Sequence, residues 1–335
     1  MPVTTIAAGR AFTYVDNIGK IGGSATAFFY PSGLARDSKG HIYVANWGHE
    51  FQPNARISKI KLDSQDWVID IGAPGDGDGQ FLWPGHLASD SKENLWVTDQ
   101  AHSRVVGFDT AGKFIGKWGA KGNGKGEFYM PAGIALTKND DFLITDSRNS
   151  RVQRYDKNGR FLSQFGKQGS ANGEFNLPWG VASDKAGNIY VADWGNSRVQ
   201  KFNADGKYQM TYGTPGKGKG EIDHPSSVAI DKDGDVYVAD WGNNRVVIFE
   251  ADGTYLATII GDAQNLSRWA QLAVAANPDL KKALERVNLE PMWKLWRPSS
   301  IHVGDDYTIC IGEAQHQRVQ IYKKDPKHQE AQFTL

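Results

Sequence analysis

Between residues 180 and 213 apolar and polar residues alternate in four short runs, GVASD at 180–184, NIYVADW at 188–194, RVQKFN at 198–203 and KYQMTYG at 207–213. A period of two over runs this short predicts β-strands, and the residues between them are turn formers. Gly187-Asn188, Asp205-Gly206 and Asp252-Gly253 stand where tight hairpins need positive φ. The same pattern returns along the chain: VTDQAHSRVVGF, VADWGNSRVQKF and VADWGNNRVVIF are near copies, each following a proline at a similar distance. Those prolines, Pro84, Pro131, Pro178 and Pro225, are spaced 47 residues apart. A repeat of roughly 40–50 residues with four strands per unit predicts the blade of a β-propeller.

Two stretched units complete the set, one beginning at Pro31 (SGLARDSKGHIYVANWG) and one at Pro298 (SSIHVGDDYTICIGEAQHQRVQIY). The expected fold is therefore all-β, a six-bladed propeller of four-stranded blades forming one domain over residues 1–335. The unit at Pro31 runs 53 residues because its second hairpin loop is expanded, and the unit at Pro225 runs 73, which is 26 beyond the period. The last unit has no clear outer strand after VQIYKK, while AFTYVDNIGK near the N-terminus matches an outer strand without a blade. Joining the two over residues 10–20 closes the ring and leaves no unpaired edge. The surplus lies in residues 262–297, where apolar spacing shifts to the helical period around Trp269, Leu272 and Val274, and then around Leu280, Ala283, Leu284 and Val287 after Pro278. A helical insertion in a blade connector is expected to lie over the channel mouth as a lid; an oligomer contact or a plug for the channel are the alternatives.

Composition narrows the partners. Lys plus Arg and Asp plus Glu are 38 each, so no global field draws the chain to nucleic acid or to an anionic membrane. The one cysteine, Cys310, lies in the apolar run TICIGE and reads as a buried strand residue. The start MPVTTIAAGR lacks the features of a signal peptide, and no apolar run approaches membrane-spanning length. The expected compartment is the cytoplasm.

The VADxxNxRVQxF core and the GxxGxGxGEFxxP connector resemble those of NHL-repeat proteins, six-bladed propellers, over residues 31 to about 323. The resemblance implies the fold more than the activity, because propellers host lyases, hydrolases, ion sites and docking platforms. Among such proteins the lyase that cleaves peptidyl hydroxyglycines is distantly similar. It holds a catalytic zinc on histidines at the tops of inner strands, with arginine and tyrosine acting on substrate. His224 directly precedes Pro225 and matches such a position; His86 and His302 follow their prolines by two and four residues. These three are the metal candidates, for zinc or, as another divalent ion, calcium. DKDGD at 231–235 looks like half a calcium loop, but its counterpart DKAGN at 184–188 keeps the turn without the acids, so a hairpin is expected.

Residues repeated on several blades are structural fixtures, whereas function belongs where the repeat is broken. Asp193, Asn196 and Arg198 recur as Asp240, Asn243 and Arg245 and as Asp146, Asn149 and Arg151, and are read as turn and ladder residues. The positions just before the prolines are Tyr30, Trp83, Met130, Leu177, His224 and Arg297, and they ring the expected mouth. Trp179 follows Pro178, Trp296 precedes Arg297, and His86 stands where other blades carry Gly33, Gly133 and Gly180. Trp47, Trp194 and Trp241 of the second hairpins widen the same surface. The candidate catalytic residues are His224, Arg297 and His86, and the candidate ligand-binding residues are Trp179, Trp83, Tyr30, Trp296, Trp194 and Trp241. Two functions fit: a small-molecule enzyme or binding protein, as a lyase or hydrolase, with an aromatic lidded site, or a stand-alone scaffold docking a protein partner.

Overall fold

The computed structural model describes residues 3–19, 27–47 and 54–329. Six antiparallel sheets form a ring, their inner strands starting at Pro31, Pro84, Pro131, Pro178, Pro225 and Pro298. Each inner strand packs on the next, and the strand Pro298–Val303 of blade 6 packs back on Pro31–Arg36 of blade 1. Every blade has four strands in simple up-and-down order, and blade 6 alone has a fifth. Its fourth strand is Arg10–Gly19, paired in antiparallel register with Arg318–Asp325. The chain end thus supplies the edge that the sequence after Lys324 lacks. The fifth strand, Thr4–Ala7, is folded back on Arg10–Thr13 through a turn at Ala8 and Gly9, both left-handed (φ 46° and 71°); its four residues are too short a run to be read from periodicity.

The seams between blades explain the connector sequence. Three residues before each inner-strand proline stand Phe28, Phe81, Phe128, Phe175, Ile222 and Leu295, each at most 2% exposed and each packed into a core cluster shared by adjoining blades. Burying an aromatic or aliphatic side chain in this way contributes about 2 kcal/mol per seam. The preceding glycine is required at Gly166, where φ is 89° and a Cβ would come within 2.4 Å of the Phe175 ring.

The insertion between blades 5 and 6 is helical, with α1 at Arg268–Ala275, α2 at Pro278–Leu284 and a short α3 at Glu290–Trp293. Ser267 caps α1, accepting from the Ala270 amide, and Asn277 caps α2, followed by Pro278 in the first turn. Its position differs from the expected lid. Trp269 inserts beside Phe28 and Trp67, with ring centroids 5.3 and 5.4 Å apart, and its indole N–H donates to the Gln65 carbonyl at 2.8 Å. The Asn17 amide donates to Asn265 O at 2.9 Å, and the Ser267 hydroxyl donates to Gly19 O. α1 therefore seals the seam where blade 6 meets blade 1, because its one buried aromatic finds an apolar wedge there and not above the channel. No described helix is long and apolar enough to cross a membrane.

Candidate functional site

The repeated polar residues form one network per blade. In blade 4 the fully buried Asp193 accepts hydrogen bonds from Asn196, Arg198 and Gln200 and from the Asn176 amide, while Arg198 also donates to Ala171 O and Glu174 O of the connector. Burial raises the carboxyl pKa of Asp193, and the hydrogen bonds and the guanidinium oppose that rise. In blades 2 and 6 histidine takes the asparagine's place: His102 Nδ1 lies 2.6 Å from Asp99 and His316 Nδ1 lies 2.9 Å from Glu313. Both imidazoles serve their own blade. The sequence also allows a second histidine cluster on neighbouring blades, His49 with His102 and His316, but His49 lies outside the described residues.

At the proline end of the ring the inner strands and second hairpins enclose a hollow of about 570 Å³. Trp47, Trp83, Trp179, Trp194 and Trp241 line it, with Tyr30, Met130 and Leu177. The rings pair into two walls. Trp47 and Trp83 of blades 1 and 2 lie 5.7 Å apart, and Trp194 of blade 4 lies 6.5 Å from Trp179 and 6.4 Å from Trp241 of blade 5. In a six-membered ring, blades 1 and 2 stand opposite blades 4 and 5, so the walls face one another across the axis. Blades 3 and 6 leave the ends of this slot lined by Met130, Ser147 and Arg148, and by Ser299 and Ala314. The slot's serines are committed to the fold: Ser32, Ser147, Ser226 and Ser299 donate to the carbonyls of Pro84, Pro178, Pro298 and Pro31 on the next blade.

The proposed catalytic residues do not share this hollow. His224 stands at its outer rim, its ring centroid 4.2 Å from that of Trp194 and its Nδ1 2.5 Å from Asp223 Oδ1. Arg297 lies over Trp241 at 4.5 Å. Both therefore back the tryptophan wall from outside. A left-handed backbone at the residue before the proline (φ 52° at each) accompanies this placement, as it does at Tyr30, Met130 and Leu177. Trp296 is also apart, 48% exposed and edge-on to His316. Trp83, Trp179, Trp194, Trp241 and Tyr30 are brought together as lining.

His86 and His302 line the lower channel, a space of about 300 Å³ beyond the slot. His86 replaces the small residues Gly33, Gly133, Gly180, Ser227 and Ser300 of the other blades. It reaches across the axis, since a Cβ at Gly180 would stand 3.2 Å from its Cε1. Its Nε2 has no partner among the described residues. His224 is remote from this channel's lining, and no three His, Cys, Asp or Glu side chains among the described residues are grouped to hold a metal. The expected three-histidine set is not assembled, because its members sit at three heights of the ring. Cys310 is buried, its thiol pushed up to about 12 by burial.

Burial pushes the pKa of His86 down to about 4, with the Ser299 backbone opposing the fall, and burial and then the Arg36 charge push His302 to about 4. A histidine depressed in the folded state contributes stability that is complete above its unfolded pKa near 6.5 and is lost as pH falls towards 4. His86 alone should cost about 2–3 kcal/mol between pH 7 and pH 4.5. Urea melts at the two pH values test this: His86→Ser should show a smaller acid loss than the parent chain, and equal losses would contradict the assignment.

Sequence reasoning missed Gln100 and Arg148. Gln100 stands where blades 1, 4 and 5 carry Trp47, Trp194 and Trp241, and Arg148 where blades 4 and 5 carry Gly195 and Gly242. Both are breaks in the repeat and were detectable as such, one position beyond the motif acid and two.

Fold and mouth define a class: a six-bladed β-propeller whose blades enclose an aromatic slot. The chain carries NHL repeats, the NHL repeat model matching residues 175–202 and 223–249, and a model described as a 6-bladed β-propeller matches residues 85–163. No curated protein matches it. Among solved structures it is similar to a structural genomics protein from Bacteroides thetaiotaomicron, at 17% identity and TM-score 0.66, covering 96% of this chain and 77% of that one. It is also similar to virginiamycin B lyase from Staphylococcus aureus, at 13% identity and TM-score 0.58 over 94% and 99% of the two chains, and to a streptogramin B lyase, at 13% identity and TM-score 0.57 over 94% and 98%. At these identities the likeness is one of fold.

Proposed function

We propose that the chain binds a small molecule with a flat apolar body in the slot between the two tryptophan walls. The observation that carries this reading is the concave hollow of about 570 Å³ with aromatic faces on opposite sides, a volume within the range of small-ligand pockets. A protein-docking face would present its aromatics on a flat patch, whereas here they face inward. Apolar surface leaving water and ring-on-ring contact supply the affinity.

A lyase activity has one observation in its favour, the His224–Asp223 pair beside Trp194. With Nδ1 held by the carboxylate, Nε2 is left as a base for a proton on a ligand that reaches past the wall. One similar structure is a virginiamycin B lyase made catalytically inactive by a histidine substitution, with quinupristin. Binding comes first in this account because the slot itself contains no imidazole or carboxylate among its described lining residues.

Calorimetric titration with neutral 2-naphthalenemethanol tests the reading. One site per chain is expected, weakened about tenfold or more in Trp83→Ala and in Trp194→Ala, since each loses one stacking face. Affinity unchanged from the parent in both variants, or no binding to the parent chain, would contradict it and favour a docking platform.

A further inference from the structure

The slot is not the same at its two ends, and the difference bears on what it takes. Resting on the binding reading above, we infer that its ligand is a planar apolar anion, oriented with its acidic group towards blade 3 and its apolar end towards blade 6. At the blade 3 end Arg148 is exposed, and its guanidinium has no hydrogen-bond or ion-pair partner among the described residues. The other arginines at equivalent heights are engaged: Arg104, Arg151, Arg198, Arg245 and Arg318 each bind the motif acid of their own blade. Beside it on blade 2, the carboxamide of Gln100 likewise has no partner among the described residues, although the residue is only 6% exposed and lines the slot. Its carboxamide atoms are not shut away from solvent, so its N–H groups are free to donate to a ligand acceptor inside the slot. The blade 6 end has only Ala314 and Ser299, whose hydroxyl is committed to Pro31 O, so it accepts an apolar end.

Arg148 is the one charged side chain among the described lining residues, and the rim carboxylate of Asp223 is paired with His224. No carboxylate is among the described lining residues, and the acids just behind the mouth, Asp99, Asp146, Asp193, Asp240 and Glu313, are fully buried and each is paired with an arginine. A cation in the slot would meet like charge, from Arg148 in the lining and from the Arg297 guanidinium 4.5 Å from the Trp241 ring on its outer side. A planar carboxylate suits a free guanidinium, which offers two parallel N–H donors, and the neighbouring amide N–H adds a third.

The test compares three probes with one ring system by titration into the full chain: 2-naphthoate, 2-naphthalenemethanol and 2-naphthylmethylammonium. The expected order is naphthoate first, about tenfold tighter than the alcohol, and the ammonium weakest. Arg148→Ala, an exposed position whose change should leave the melting temperature in place, should bring naphthoate down to the level of the alcohol without changing the alcohol. Gln100→Leu should weaken naphthoate several-fold. Equal binding of naphthoate and alcohol with no effect of Arg148→Ala would overturn the anion inference and leave the slot intact. Tightest binding by the ammonium would also overturn it. Failure of all three probes would instead remove the binding reading on which it rests.

Discussion

A chain lacking residues 1–20 is expected to lose its cooperative melt, or to aggregate on expression. Arg10–Gly19 is the fourth strand of blade 6, and it buries Phe12, Tyr14 and Ile18, all at most 8% exposed. Phe12 packs edge-on to Tyr237 of blade 5, and Tyr14 packs on Tyr322. At about 2 kcal/mol per large apolar side chain these three contribute roughly 6 kcal/mol, a large share of the 5–15 kcal/mol typical of a folded domain. Arg10 adds a link to blade 5 through Asp235 and Glu250. Truncation would also expose the whole edge of Arg318–Asp325, a template for strand addition between molecules. Calorimetry and light scattering read the outcome. An unchanged melting temperature in the truncated chain would show that the ring does not depend on this strand.

Replacing Lys324 by Met is expected to destabilise the chain by about 3–5 kcal/mol, the cost of leaving buried charges without their partner. The Lys324 ammonium is fully buried and lies 2.6 Å from Asp231, 2.8 Å from Asp235 and 3.0 Å from Asp233. Burial lowers its pKa, but the hydrogen bonds to Asp231 and Asp235 outweigh that and raise it overall, so the lysine stays charged throughout neutral pH. These aspartates are the DKDGD hairpin whose acids look like half of a calcium loop; the cation that they surround is a lysine from the neighbouring blade. Methionine keeps most of the volume and removes the charge, leaving Arg10, 2.9 Å from Asp235, to face the cluster. The variant's deficit should shrink as pH falls, because protonated carboxyls no longer repel. A deficit below 1 kcal/mol in urea melts at pH 7 would contradict this role.

The blades were legible because the repeated strands carry their own signals: alternation, a hairpin glycine and, from Pro84 to Pro225, a proline every 47 residues. The closing strand was legible from a deficit, since Arg318–Asp325 would otherwise end the ring as a bare edge. The seat of the helices was not. Apolar spacing around Trp269 says that the helix has a buried face but not which surface receives it, and the receiving wedge is built from Phe28, Trp67 and Ile18, distant in sequence. The same limit applies to the site. Breaks in the repeat and the second hairpins pointed to Trp83, Trp179, Trp194 and Trp241, which line the hollow, and to Trp296, which does not, yet could not tell that His224 and Arg297 would settle behind Trp194 and Trp241. Arg148 and Gln100 lie within turns, where polar residues are ordinary, and only the absence of a partner in three dimensions sets them apart.

A crystal structure of the protein with 2-naphthoate bound measures the central claim most directly. The account predicts one naphthalene ring between the Trp47–Trp83 pair and the Trp179–Trp194–Trp241 wall, with its carboxylate on Arg148. There is a rival apolar cavity of about 220 Å³ beneath the insertion, lined by Val274, Leu284, Met292 and Trp293. The probe seated there, with the slot between the tryptophans unoccupied, would contradict the account.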